Sequence, residues 1–342
     1  MEITASAVEE PLAASPLSNP QAGPAAEPGA QAARPVRDRI PLTTFAAPFG
    51  LGGLAEAWTA GGEALHLSPA IAWGLWVLAA VVWLWVLTAH VVRGIRTRLS
   101  LRAQLRHPAQ GPIAALAPTM GMLLAAQLHR WSPLGGRVLL LASLAVALAF
   151  AAWLIAGWFD GRLKLADVHG GYLLPTVAAG FVGGESAAVN GLPGLGWAAF
   201  GVGVFFAIVM TAVVVLRLML ESPLPAPLVP SMAILAAPPA VGGLAWFALT
   251  GERADTVAIA FAGVGALMVA VQLALLPRYL RLGFTLGFWS FTFTAGAIVA
   301  DTIIWLGLGA VPGAAVISAV LLAAVTVLIG GIGIRSLLAL RR

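Results

Sequence analysis

From Pro41 onward the chain alternates long apolar runs with short polar interruptions, and each run has about the twenty residues that cross a hydrocarbon layer as a helix. The runs lie at about 41–60, 69–92, 111–128, 135–158, 171–188, 193–216, 226–249, 254–277, 285–308 and 312–334. In hydrocarbon every backbone amide must find its partner within the protein, so these runs predict ten transmembrane helices and an all-α integral membrane fold. Residues 1–38 break the pattern. They are rich in Ala, Pro and Gly, carry Glu2, Glu9, Glu10 and Glu27, and predict a disordered cytoplasmic tail. The membrane domain is expected over 39–338 and a basic cytoplasmic end over 339–342.

The connections alternate in length. Those after runs 1, 3, 5, 7 and 9 are short, so the repeating unit is a helical hairpin, beginning near 41, 111, 171, 226 and 285. The two helices of each hairpin differ in chemistry. Even runs are continuous apolar stretches such as "WGLWVLAAVVWLWVL" and read as lipid-facing. Odd runs are broken by Pro48, Pro118, Pro175, and the pair Pro238 and Pro239. An interior proline removes one backbone hydrogen bond and frees a carbonyl, which hydrocarbon does not tolerate but a protein interior or a water-filled space does. One reading is that the prolines only kink helices for packing. Their recurrence in odd runs favours five inner helices shielded by five outer ones, with a central pore that the inner side chains do not fill.

The ninth run has no central proline but contains "WSFTFTAGA", polar and small residues at the depth where the other odd runs break. At 3.6 residues per turn, Phe293 shares a face with Leu286, Ser290, Ala297 and Ala300. Residue type alone favours ordinary packing for this phenylalanine. The expected pore-lining positions are Phe45, Pro48, Pro118, Pro175, Pro238, Pro239, Ser290, Thr294 and Ala297.

Composition settles the class, because 60% hydrophobic and 10% charged residues cannot clothe a soluble surface. The formal charge of +5 would suggest nucleic acid in a soluble chain. Here the basic residues lie between apolar runs, which makes them a topology signal. Three of the 19 basic residues, Arg130, Arg137 and Arg253, fall on one side of the predicted membrane and the other sixteen on the opposite side, so both termini are expected in the cytoplasm. Glu56, Glu185 and Asp301 lie at or near the outer ends of the first, fifth and ninth runs and are candidate protonatable groups. With no cysteine, and five histidines never spaced i, i+4, no metal or thiol cofactor site is expected. No nucleophile with a neighbouring base stands within the runs, so an enzyme is not expected.

The ten-helix plan resembles the tellurite-resistance and dicarboxylate transporter family, which includes the bacterial TehA proteins, the slow-type anion channels of plant guard cells and malate and sulfite transporters. The resemblance covers about residues 40 to 340 and is carried by "LRHPAQGP", "HGGYLLPTVAAG", "APPAVGGLAW" and "FTLGFWSFTFTAGA" in that order. It implies a homotrimer in the inner (plasma) membrane, each protomer with its own five-helix pore occluded by a phenylalanine of the ninth helix. The matching position is Phe293, with Phe291 as the alternative register. Where relatives often have proline after that aromatic, this chain has Thr294.

No Lys or Arg lies deep in an odd run, so a bound anion meets no full positive charge in mid-membrane. A neutral lumen with basic residues at its inner mouth fits passive passage of small anions, gated by Phe293. The alternative is a proton-coupled carrier of malate, sulfite or a similar weak acid that uses the three carboxyls.

Overall fold

The computed structural model describes residues 39–340 except 96, 98 and 99. The expected tail at 1–38, with Arg34 and Arg37, and also Arg96, Arg98, Arg341 and Arg342, lie outside the described residues. Among those described, secondary structure is entirely helical. The α-helices are α1 (Ala46–Ala64), α2 (Ala70–Ile95), the short α3 (Leu101–Leu105), α4 (Leu116–His129), α5 (Pro133–Phe159), α6 (Ala179–Val189), α7 (Pro193–Leu220), α8 (Ala237–Thr250), α9 (Thr256–Leu280), α10 (Ser290–Leu308) and α11 (Ala314–Leu340).

Eight helical stretches are long and apolar enough to cross a membrane, including the composite ones Gly111–His129, Ala226–Thr250 and Leu286–Leu308. The two expected spans not among them are those of α1 and α6. Both are glycine-rich, and α1 carries Glu56 and Glu63 while α6 carries Glu185. That lowers their apolarity.

A second difference concerns the breaks. Each broken run opens with a tight turn of 3₁₀ or π helix and then continues as α-helix: Leu42–Phe45 before α1, Gly111–Ala115 before α4, Gly170–Leu173 and the π turn Leu174–Ala178 before α6, Ala226–Ala236 before α8, and Leu286–Trp289 before α10. Pro48, Pro118, Pro238 and Pro239 fall in the first turn of the α-helical part, and Pro175 in the π turn. A proline in a first turn costs little, because that N–H has no partner within the helix. The prolines therefore mark where one helical pitch hands over to another, and they do not kink a continuous α-helix.

The unbroken helices start and stop by ordinary local rules. Ser132 accepts a hydrogen bond from the Gly135 N–H ahead of α5, and Asp255 accepts from Val257 and Ala258 ahead of α9. Pro133 and Pro193 open α5 and α7. Gly251, in the left-handed region, closes α8. Helix α9 runs through Pro277 to Leu280, longer than the sequence predicts.

Packing separates the helices into two sets. Helix α1 packs on α4, α4 on α6, α6 on α8, α8 on α10, and α10 back on α1. Helices α2, α5, α7, α9 and α11 pack on α1, α4, α6, α8 and α10 respectively, with α11 also touching α1. Burial follows the same division. In the most apolar window of Ala226–Thr250, 78% of residues are buried, against 0% for Thr256–Leu280. Val77 and Trp85 on α2, Phe205 and Ile208 on α7, and Val264 and Leu267 on α9 are exposed, and an apolar face of this extent belongs in lipid.

Candidate functional site

Helices α1 and α10 come close together, and glycines let them. A Cβ on Gly53 would lie 2.9 Å from the Cα of Phe293, and one on Gly296 would collide with the Gly53 backbone. Without those side chains the two backbones touch, as small residues permit in membrane helices. The approach seats the Phe293 ring on that of Phe49, with centroids 3.8 Å apart and planes at 22°. Both rings are buried, Phe293 at 7% exposure. The start of α10 is tied down by Trp289, whose Nε1 donates to Ser336 Oγ of α11 at 3.0 Å. The hydroxyls of Thr292 and Thr294 donate back to the carbonyls of Trp289 and Ser290, so they expose little free polarity.

Two cavities lie along the five broken runs. One, of about 320 Å³, is lined by the amino-terminal parts of the five broken runs, among them Ala46, Phe49, Ile113, Leu116, His169, Val177, Ser231, Pro238, Ser290, Phe293 and Thr294. The other, of about 420 Å³, is lined by the carboxyl-terminal parts of the same runs, among them Glu56, Thr59, Leu123, Val182, Glu185, Leu244, Ala300 and Ile303. Phe49 and Phe293 line the amino-end cavity and not the carboxyl-end one. On α1 and α10 the second cavity begins two turns further on, at Glu56 and Ala300.

The electrostatics of the two cavities differ. The amino-end cavity collects the N-termini of α1, α4, α6, α8 and α10, where backbone dipoles present partial positive charge, and its side-chain lining is chiefly apolar or neutral. Its one imidazole, His169, is held just ahead of Gly170–Leu173. Its Nδ1 accepts from the Gly171 N–H at 3.1 Å, which leaves Nε2–H to donate to the Pro108 carbonyl at 3.3 Å. Burial pushes His169 down to about 4, the Pro108 carbonyl opposing and the Arg217 cation assisting, so the ring is neutral at physiological pH. The carboxyl-end cavity holds Glu56, Glu63, Glu185 and Glu252 against one cation, Arg130.

Of the expected lining residues, Pro238, Ser290 and Thr294 join Phe293 around the amino-end cavity. Phe45, Pro48, Pro118, Pro175, Pro239 and Ala297 line neither cavity. Phe45 turns away and stacks on His90 of α2 at 4.6 Å. Pro48, Pro118 and Pro175 are buried at the pitch changes, Pro239 faces Gly265 of α9, and Ala297 is wholly buried. Phe291, the alternative register, packs on Tyr279 and Phe288, away from both cavities. Glu56 and Glu185 face one cavity, whereas Asp301 lies against Gly243 of α8. Among the described residues none of these acids is ion-paired with Arg130, Arg137 or Arg253. Arg137 donates instead to the Asn190 carbonyl.

The residue that sequence reasoning missed is Phe49. The available signal was its place beside Pro48, four positions before Gly53 on the small-residue face of α1.

Residues 39–337 match the family described as SLAC1, voltage-dependent anion channel. The chain belongs to the SLAC1 family. As a member it is a multi-pass membrane protein of a group that moves anions across membranes. It is also 28% identical over 255 residues to the tellurite resistance protein TehA homolog of Haemophilus influenzae, covering 74% of this chain and 77% of the relative. The SLAC1 match spans all of the described helices but for the last three residues of α11, including both cavities and the Phe49–Phe293 pair.

Proposed function

We propose that the protein is a channel for small anions whose lumen runs between α1, α4, α6, α8 and α10 and is closed by Phe293 resting on Phe49. The observation that carries this reading is the pair of cavities toward opposite ends of the same five helices, with the Phe49–Phe293 stack lining the amino-end one. Five helix N-termini around a cavity with no acidic side chain favour an anion without binding it tightly, which suits passage rather than capture. In this reading all ten helical runs cross the plasma membrane as five hairpins. Both termini are cytoplasmic, as the basic residues argue, and the amino-end cavity opens inward. Family resemblance adds a homotrimer, testable by native mass in detergent. Tellurite, named for the relative, is one oxyanion such a path would admit.

Replacing Phe293 with alanine removes the blocking ring. The expected result is an anion current raised about tenfold or more at fixed driving force, equivalent to about 1.4 kcal/mol off the barrier. An unchanged current in a protein that reaches the membrane would refute the gate. Phe49→Ala is expected to act in the same direction with smaller effect, because Phe293 then leans on a void.

The proton-coupled carrier has the acidic carboxyl-end cavity in its favour. Uptake into proteoliposomes that collapses with the proton gradient would support it, whereas currents reversing at the anion equilibrium potential support the channel.

A further inference from the structure

Helices α1 and α6 are not neighbours in the cycle of five, since α4 lies between them on one side and α8 and α10 on the other. Even so, Glu56 on α1 and Glu185 on α6 both line the carboxyl-end cavity. In the channel reading the two carboxyls lie beyond the aromatic stack.

Two ionised carboxylates are acceptors only, so neither can satisfy the other. The neighbouring hydroxyls do not supply a donor. Thr59 Oγ1 donates to the Ala55 carbonyl and Ser186 Oγ to the Met122 carbonyl. The nearby indole of Trp76 is also committed, its Nε1 donating to Thr59 Oγ1. Oε2 of Glu56 is buried with no hydrogen-bond partner among the described residues. An unpartnered buried acceptor facing a second acceptor is completed by a proton held between them.

The other charged groups around this cavity are few. Glu63 comes from α1, Arg130 from the end of α4 and Glu252 from just past α8, while α2 contributes Trp76 and α10 contributes Ala300 and Ile303. The carboxyl of Asp301 on α10 sits against Gly243, outside the cavity lining. Arg130 does not pair with Glu56 or Glu185 among the described residues, and its guanidinium lies over the Trp73 ring.

We infer that Glu56 and Glu185 form a proton-binding pair that sets anion access through the carboxyl-end cavity. With no proton the pair carries two negative charges across the path and repels anions. One shared proton removes one charge and joins the side chains, and a second leaves the pair neutral. Anion passage thus increases as the solution bathing that end is acidified. The device rests on the channel reading, but it acts at a different place from the Phe293 gate.

The test is chloride current through the full-length protein in planar bilayers, with pH varied on one side at a time, in wild type and in the Phe293→Ala background. Acidifying the side facing the carboxyl-end cavity is expected to raise current about tenfold or more, because a unit charge within a few ångströms of the permeating ion outweighs that factor in a poorly solvated lumen. Glu56→Gln and Glu185→Gln each supply an N–H in place of the proton. Each leaves one carboxyl to titrate, so each is expected to raise the current at neutral pH to that of the singly protonated pair, and the double variant to conduct independently of pH. Glu63→Gln, Glu252→Gln and Asp301→Asn are expected to leave the pH dependence in place.

A Phe293→Ala protein that conducts with a flat pH profile overturns the pair and leaves the gate standing. Unaltered pH dependence in both glutamine variants also overturns it. If Phe293→Ala gives no gain in current the gate is wrong, and the pair is then decided by infrared titration of the carbonyl band of protonated carboxyls. A band that titrates in wild type and is lost in the double variant Glu56→Gln, Glu185→Gln supports the pair. Absence of that difference overturns it.

Discussion

At the scale of single residues, the site depends on three side chains whose roles come from what they touch. Phe293 and Phe49 hold each other by stacking, worth about 0.5–1.5 kcal/mol beyond the area they bury. Loss of a fully packed phenylalanine costs about 3–5 kcal/mol, and Phe293→Ala should fall at or below the low end because one side of its ring already faces a cavity. Gain of current with modest loss of stability is thus the signature of a plug rather than a core residue. His169 has a structural part. Its value of about 4 in the fold, against 6.5 when unfolded, means that the folded state binds fewer protons between those values. Stability should therefore rise with pH from about 4 to 6.5 and be lost as pH falls through that window. Melting curves in detergent across the range test this, and His169→Gln should flatten the slope while lowering stability at neutral pH.

At the scale of elements, the α1–α10 contact positions the Phe49–Phe293 stack. Gly53 and Gly296 let two helices meet backbone to backbone, and an added methyl at either must push them apart. Gly296→Ala is expected to cost about 1–3 kcal/mol, the usual penalty for overpacking, and to lower the melting temperature by several degrees. It should also shift Phe293 off Phe49, seen as loss of gating along with loss of stability. A control such as Gly263→Ala on α9, where nothing stands within 4 Å of the new Cβ, should do neither. The broken runs show how far element prediction reaches. Proline positions marked every break but that before α10, because a missing N–H is a local property. The form of the breaks, a 3₁₀ or π turn handing over to α-helix, was not legible, since pitch is chosen by packing against neighbouring helices.

At the scale of the whole molecule, the division between exposed and buried helices and the sidedness of charge make one prediction together. Reporter tags on the two termini should be accessible from the same, cytoplasmic, side, and a cysteine introduced into the 309–313 connection should be labelled from the other. Labelling of that connection from the cytoplasm would reverse the assignment of which cavity opens inward. The lipid-facing role of α2, α5, α7, α9 and α11 was readable from their unbroken apolar runs, which follow directly from the solvent they meet. The first and fifth runs were less plain, because the glutamates and glycines that serve the interior dilute their apolarity.

What the chain determined by itself was its membrane class, the order and rough extent of its helices and the odd and even difference, since run length, proline and charge act locally or through the solvent. The tertiary structure alone decided that Phe49 is the partner of Phe293, that Phe45 and most of the prolines turn from the cavities, and that Glu56 and Glu185 share one cavity. Those outcomes depend on the rotation of each helix about its axis and on contacts between residues far apart in the chain. A single helix with a low or ambiguous apolar moment does not specify its own rotation. Its neighbours do.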